Sequence, residues 1–122
     1  MRLIMAKVTT PPDVEHPVAT LPVVLAALQD PVRLEIVRRL GNAGDAVRCS
    51  ALYDSVNKST ATHHFKILRE AGVIERLVVE GHTCQRLRID DVERALPGVL
   101  TAVIAAANRA HNGRPDPSDP DE

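Results

Sequence analysis

Lys58, Ser59, Thr60, Thr62, His63, Lys66 and Arg69 crowd into one short stretch, Asn57-Lys58-Ser59-Thr60-Ala61-Thr62-His63-His64-Phe65-Lys66-Ile67-Leu68-Arg69-Glu70-Ala71-Gly72. Hydroxyls, imidazoles and cations are the donors that bind phosphate oxygens and base edges in a DNA major groove. Ala61, Phe65 and Leu68 recur at i, i+4 and i+7, the spacing of one buried helix edge, which turns the polar set outward. Ser59 or Thr60 is expected to cap the helix start, and Gly72 to supply the positive φ at its end. A polar helix face alone fits a plain solvated surface equally well, so the flanking chain decides.

Upstream, a helix is expected from near Pro22 to Leu28 or Gln29. Asp30-Pro31 restarts the chain as cap and first residue of a second helix, which carries Leu34, Ile36, Val37 and Leu40 to a Gly41-Asn42-Ala43-Gly44 turn. A short third helix is expected from Cys49 to Asp54, then a turn, then the Ser59-to-Ala71 helix. Beyond it the period becomes alternating: Val73 to Val79 and Thr83 to Ile89 read as strands joined by Glu80-Gly81-His82. Asp90-Asp91 is expected to cap a last helical region that Pro97 divides. Its apolar stripe is Leu96, Val99, Leu100, Val103, Ile104 and Ala107.

Two helices joined by a short turn, followed by a hairpin, make a winged helix-turn-helix. The expected fold is therefore mainly α with a small β-hairpin: about five helices and a two-stranded antiparallel wing. In that geometry the second helix of the pair enters the major groove. The hairpin can then offer His82, Thr83, Arg86 or Arg88 to the DNA backbone or the minor groove.

Three units follow: a flexible N-terminal arm over 1–17, a DNA-binding and dimerisation domain over 18–111, and a disordered acidic tail over 112–122. The whole chain has a formal net charge of −1, but Asp116, Asp119, Asp121 and Glu122 lie in that tail and leave a mildly basic body. With no Trp, one Tyr and one Phe, the core must be aliphatic. A chain of 122 residues buries only about two-thirds of its surface alone, and the apolar last helix suggests a homodimer. No signal peptide or membrane-length apolar run is legible, so a cytoplasmic protein with free thiols is expected and no membrane partner.

The segment Leu25-Ala26-Ala27-Leu28-Gln29-Asp30-Pro31-Val32-Arg33-Leu34-Glu35-Ile36-Val37, the Ser59-to-Gly72 helix and the Glu80-Gly81 wing resemble the ArsR/SmtB family of bacterial transcriptional regulators. The likeness covers residues 20 to 110. It implies a dimer paired through first and last helices, binding double-stranded DNA as a repressor that leaves its operator when an effector binds. The family's base-contacting positions match Lys58, Ser59, Thr62 and His63.

The departures concern sensing. The family's thiol sensors carry two cysteines one residue apart on the third helix, whereas only Cys49 is present here. Their zinc sites on the last helix need paired histidines, whereas only His111 follows Asp90, Asp91 and Glu93. No cofactor is expected, and any divalent metal binding should be weak and held by imidazole and carboxylate. Cys49 is the candidate redox thiol, with a small packed hydrophobe as the competing role. No phosphate loop or nucleophile setting suggests an enzyme. The alternative function is a winged-helix protein-interaction module that does not touch DNA.

Overall fold

A computed structural model describes residues 8–10 and 16–113. The acidic tail from 114 onward and most of the N-terminal arm lie outside the described residues. Five α-helices and an antiparallel sheet form the winged helix-turn-helix.

Helix α1 (Leu21–Leu28) carries Pro22 in its first turn and buries Val24, Ala27 and Leu28. Helix α2 (Pro31–Ala43) starts as the Asp-Pro pair predicts: Asp30 accepts from the amides of Val32 and Arg33 at 2.8 and 3.1 Å. It ends on Gly44, whose φ of 71° closes the last turn. The short strand β2 (Val47–Arg48) follows.

The expected third helix is a single 3-10 turn, Cys49–Ala51, closed by Leu52 N–H on the Cys49 carbonyl. Leu52 is buried there, and the polar run beyond it continues as bends.

Helix α3 (Lys58–Glu70) starts one residue earlier than expected. Its cap is Asn57, whose side chain accepts from Thr60 N–H at 2.8 Å, rather than Ser59 or Thr60. Asn is as good a cap as Ser, and here it holds the extended backbone a cap requires. Ala61, Phe65 and Leu68 are buried as the spacing demands.

Strands β3 (Ile74–Val79) and β4 (His82–Leu87) pair from Ile74↔Leu87 to Val79↔His82. Glu80 and Gly81, both at positive φ, make the tight turn between them. The sheet is wider than a two-stranded wing, in the order β1-β3-β4-β2. Strand β1 (Val8–Thr10), inside the stretch expected to be an arm, lies antiparallel to β3.

Helices α4 (Ile89–Ala95) and α5 (Val99–Gly113) complete the chain. Asp90 and Asp91 do not cap α4; they sit in its first turn, where the helix dipole favours acids. Glu93 joins the two helices, accepting from the amides of Gly98, Leu100 and Thr101 at 2.7, 3.0 and 3.2 Å. The amides of Gly98 and Thr101 hold its carboxyl below the usual carboxylate range.

The apolar stripe of α5 turns largely inward. Leu100 is fully buried, and Leu96, Val99, Val103 and Ile104 pack against the core. Gly41 of α2 allows this, since a Cβ there would lie 2.6 Å from Ile104 Cδ1. Asn42 and Asn108 exchange amide hydrogen bonds at 3.0 and 2.9 Å beside it. The exposed large hydrophobics are instead on α1: Leu21 (41%), Val23 (50%) and Leu25 (46%).

On α2, Glu35 receives Arg38 and Arg39 at 2.8 Å each. The Arg38 hydrogen bond, with that of Arg39, holds its carboxyl at about 2. A depressed carboxylate stabilises the fold above its unfolded value and loses that contribution as pH falls through its folded value. The Glu35→Gln variant should be less stable than wild type by on the order of 2 kcal/mol at neutral pH. That gap should close between pH 4.5 and about 2. Denaturant midpoints of the two proteins across this window check it; a gap that persists at the acid end contradicts the assignment.

Candidate nucleic-acid interface

Helix α3 presents two polar rows. Ser59, His63 and Lys66, at i, i+4 and i+7, are exposed and point straight out. Lys58 and Thr62, with Phe65 below them, face the wing and line a cavity between α3, the Cys49 turn and the β-hairpin. Thr62 Oγ1 donates to the Lys58 carbonyl at 2.9 Å, so its proton is engaged within the helix. Thr60 is exposed on a third line, and Arg69 is half-buried. Lys66 Nζ stands 4.0 Å from Glu70.

His64, adjacent to His63, goes the opposite way, into the protein. Arg33 Nη1 donates to its Nδ1 at 3.1 Å, while Arg33 Nε donates to the Ala27 carbonyl at 2.7 Å. The Asp-Pro-Val-Arg segment therefore does three things. Asp30 caps α2, Pro31 opens it, and Arg33 ties the end of α1 to the middle of α3. This fixes the angle at which the exposed row of α3 is held.

The wing departs from the sequence expectation. His82 is exposed at the start of β4. Arg86, however, donates to Glu75, its cross-strand register partner, at 2.8 Å, so its charge is compensated on the sheet. Arg88 is 8% exposed and lies past the end of β4. It donates to the His16 carbonyl at 2.6 Å and to Asp91 at 3.1 Å. Arg88 does not share an open strand face with Arg86, because the strand ends at Leu87 and Arg88 is buried. Arg88 is a structural clamp. The cation that sequence reasoning missed is Arg48, exposed on β2 and lining the same cavity as Lys58 and His82. Its signal was weak, because a two-residue strand shows only through its pairing, Arg48↔Cys84.

The thiols sit behind this surface. Cys84 is buried, and burial pushes its thiol up. Cys49 is half-buried and accepts a long bond from Gln85 Nε2 at 3.5 Å. Asp91 and Glu93, two acids weighed as metal ligands, are engaged by Arg88 and Arg94 and by the α5 amides respectively. Among the described residues, no three His, Cys, Asp or Glu side chains come together as a metal site, and no helix is long and apolar enough to cross a membrane.

Residues 28–76, from the end of α1 into β3, match the helix-turn-helix domain family. The uncharacterized HTH-type transcriptional regulator YceK of Bacillus subtilis (strain 168) is 37% identical over 79 residues, 63% of this chain and 79% of that protein. The structure of an ArsR-like transcriptional regulator from Rhodococcus sp. RHA1 superposes with a TM-score of 0.55 at 26% identity, covering 75% of this chain and 86% of that one. The chain belongs to the ArsR family. It is a DNA-binding transcriptional regulator, with α3 as the second helix of its helix-turn-helix pair. His64, the inward histidine of α3, receives Arg33.

Proposed function

We propose that this ArsR-family protein is a non-catalytic cytoplasmic dimer that represses a small operon from an inverted-repeat operator. One observation carries the reading: a capped, rigidly anchored helix whose exposed row is Ser59, His63 and Lys66, flanked by a wing with His82 near its tip. In the major groove, Ser59 and His63 make base contacts while Lys58, Lys66 and Arg48 reach phosphates. A gel shift on the protein's own promoter region tests it. Affinity should fall steeply with salt, by close to one logarithmic unit of slope per phosphate contact. Salt-independent or absent binding would favour a protein-interaction module.

The dimer reading is supported by Leu21, Val23 and Leu25, all exposed on α1 and flanking its buried face, on a protein with few other large exposed hydrophobics among the described residues. Val23→Glu should leave each subunit folded, because Val23 is half exposed, and should raise the dimer dissociation constant at least about tenfold. Sedimentation at micromolar concentration reads this; a monomeric wild type would end the dimer model. A two-fold dimer then sets operator half-sites about one DNA turn apart or a multiple of it.

A further inference from the structure

The cavity between α3 and the wing has a volume of about 530 Å³, the size of a small-molecule site. Its rim carries Arg48 from β2 and Lys58 from the first turn of α3, with Arg76 of β3 and the imidazole of His82 from β4 also lining it. Among the described residues no carboxylate lines it. The positive end of the α3 dipole adds to the same field.

Beneath the rim lie Tyr53 and Phe65, the chain's only Tyr and only Phe, with ring centroids 6.2 Å apart and planes at 65°. A DNA phosphate can use the rim but has no need of an aromatic wall. A flat apolar anion uses both.

We infer that this cavity binds a small aromatic carboxylate, its anionic group held by Arg48 and Lys58 and its ring against Tyr53 and Phe65, and that the ligand releases DNA. The release arm rests on the DNA-binding function proposed above. Arg48 and Lys58 line the cavity and are also the cations proposed above to reach phosphates, so ligand and DNA compete for them. By linkage, operator DNA weakens the ligand by the same factor.

The single Tyr and single Phe make the test site-specific, because their ring protons give isolated NMR signals. Titration of the full chain with 2-naphthoate should shift both sets of signals and saturate at about 1 mM or below. The neutral 2-naphthalenemethanol and inorganic phosphate should each bind at least about tenfold more weakly, and Arg48→Gln should cost a similar factor. Naphthoate at saturation should raise the apparent operator dissociation constant at least about tenfold. No saturable shift, equal affinity for the neutral analogue, or inorganic phosphate binding as well as naphthoate would overturn the ligand site. Naphthoate binding to a protein with no DNA affinity would leave the site standing and defeat the function proposed above. Binding of both with no mutual effect would overturn the competition.

Discussion

Gly72→Ala should be the most damaging single methyl group that can be added to this protein, lowering stability by about 2–5 kcal/mol. Two costs combine. Gly72 has a φ of 81°, where an L side chain is strained by about 1 kcal/mol or more. Its added Cβ would also lie 2.5 Å from the Pro17 carbonyl oxygen and 2.6 Å from Val18 Cα, backbone atoms that cannot rotate away. Gly44 supplies the control. Its φ is similar at 71°, but nothing lies within 4 Å of its Cβ position. Gly44→Ala should therefore show the strain alone, about 1 kcal/mol. Thermal or denaturant unfolding of the two variants separates the terms. Equal losses at the two sites would show that residues 17 and 18 do not press on Gly72.

Replacing Ser59 and His63 together by Ala should reduce operator affinity by about 2–5 kcal/mol while leaving binding to random DNA within a factor of about two. Both side chains are exposed, and neither is the cap, which is Asn57, so the variant should fold as wild type does. Circular dichroism verifies folding, and gel shifts on operator and scrambled duplexes at fixed salt give the two affinities. An operator affinity unchanged in the folded variant would remove base readout from this row. The choice of Ser59 over Thr62 comes from the structure, because the Thr62 proton is spent on the Lys58 carbonyl and that residue faces the wing.

What the sequence made legible follows how far each signal reaches along the chain. Asp30-Pro31, Gly72, the i, i+4, i+7 edge of Ala61, Phe65 and Leu68, and Glu80-Gly81 are local signals. Each formed the element expected of it because its physics is satisfied within one or two turns. The differences arise where a distant partner decides. Arg88 looked like a wing cation until His16 and Asp91 claimed it. Arg86 is compensated by Glu75, eleven positions away and opposite only in register. Leu100 of the last helical stripe is buried, and Gly41, more than sixty positions earlier, gives Ile104 room against α2. The cavity was invisible because its rim comes from strands and helices that sequence order keeps apart.

The segment before α1 has a kinetic consequence. His16 reaches Arg88 across 72 positions, and Ala19 donates to the Ala71 carbonyl at 3.0 Å, so the start of the described domain is strapped over the junction of α3 and β3. Closing a loop of that length is unfavourable early, when few other contacts repay it. The helix-turn-helix pair and the hairpin should assemble first, and the strap should dock after the rate-limiting step. Gly72→Ala should then leave the folding limb of a chevron nearly unmoved and show its cost almost wholly as faster unfolding. This strap would set how long the folded state lasts rather than how fast it forms.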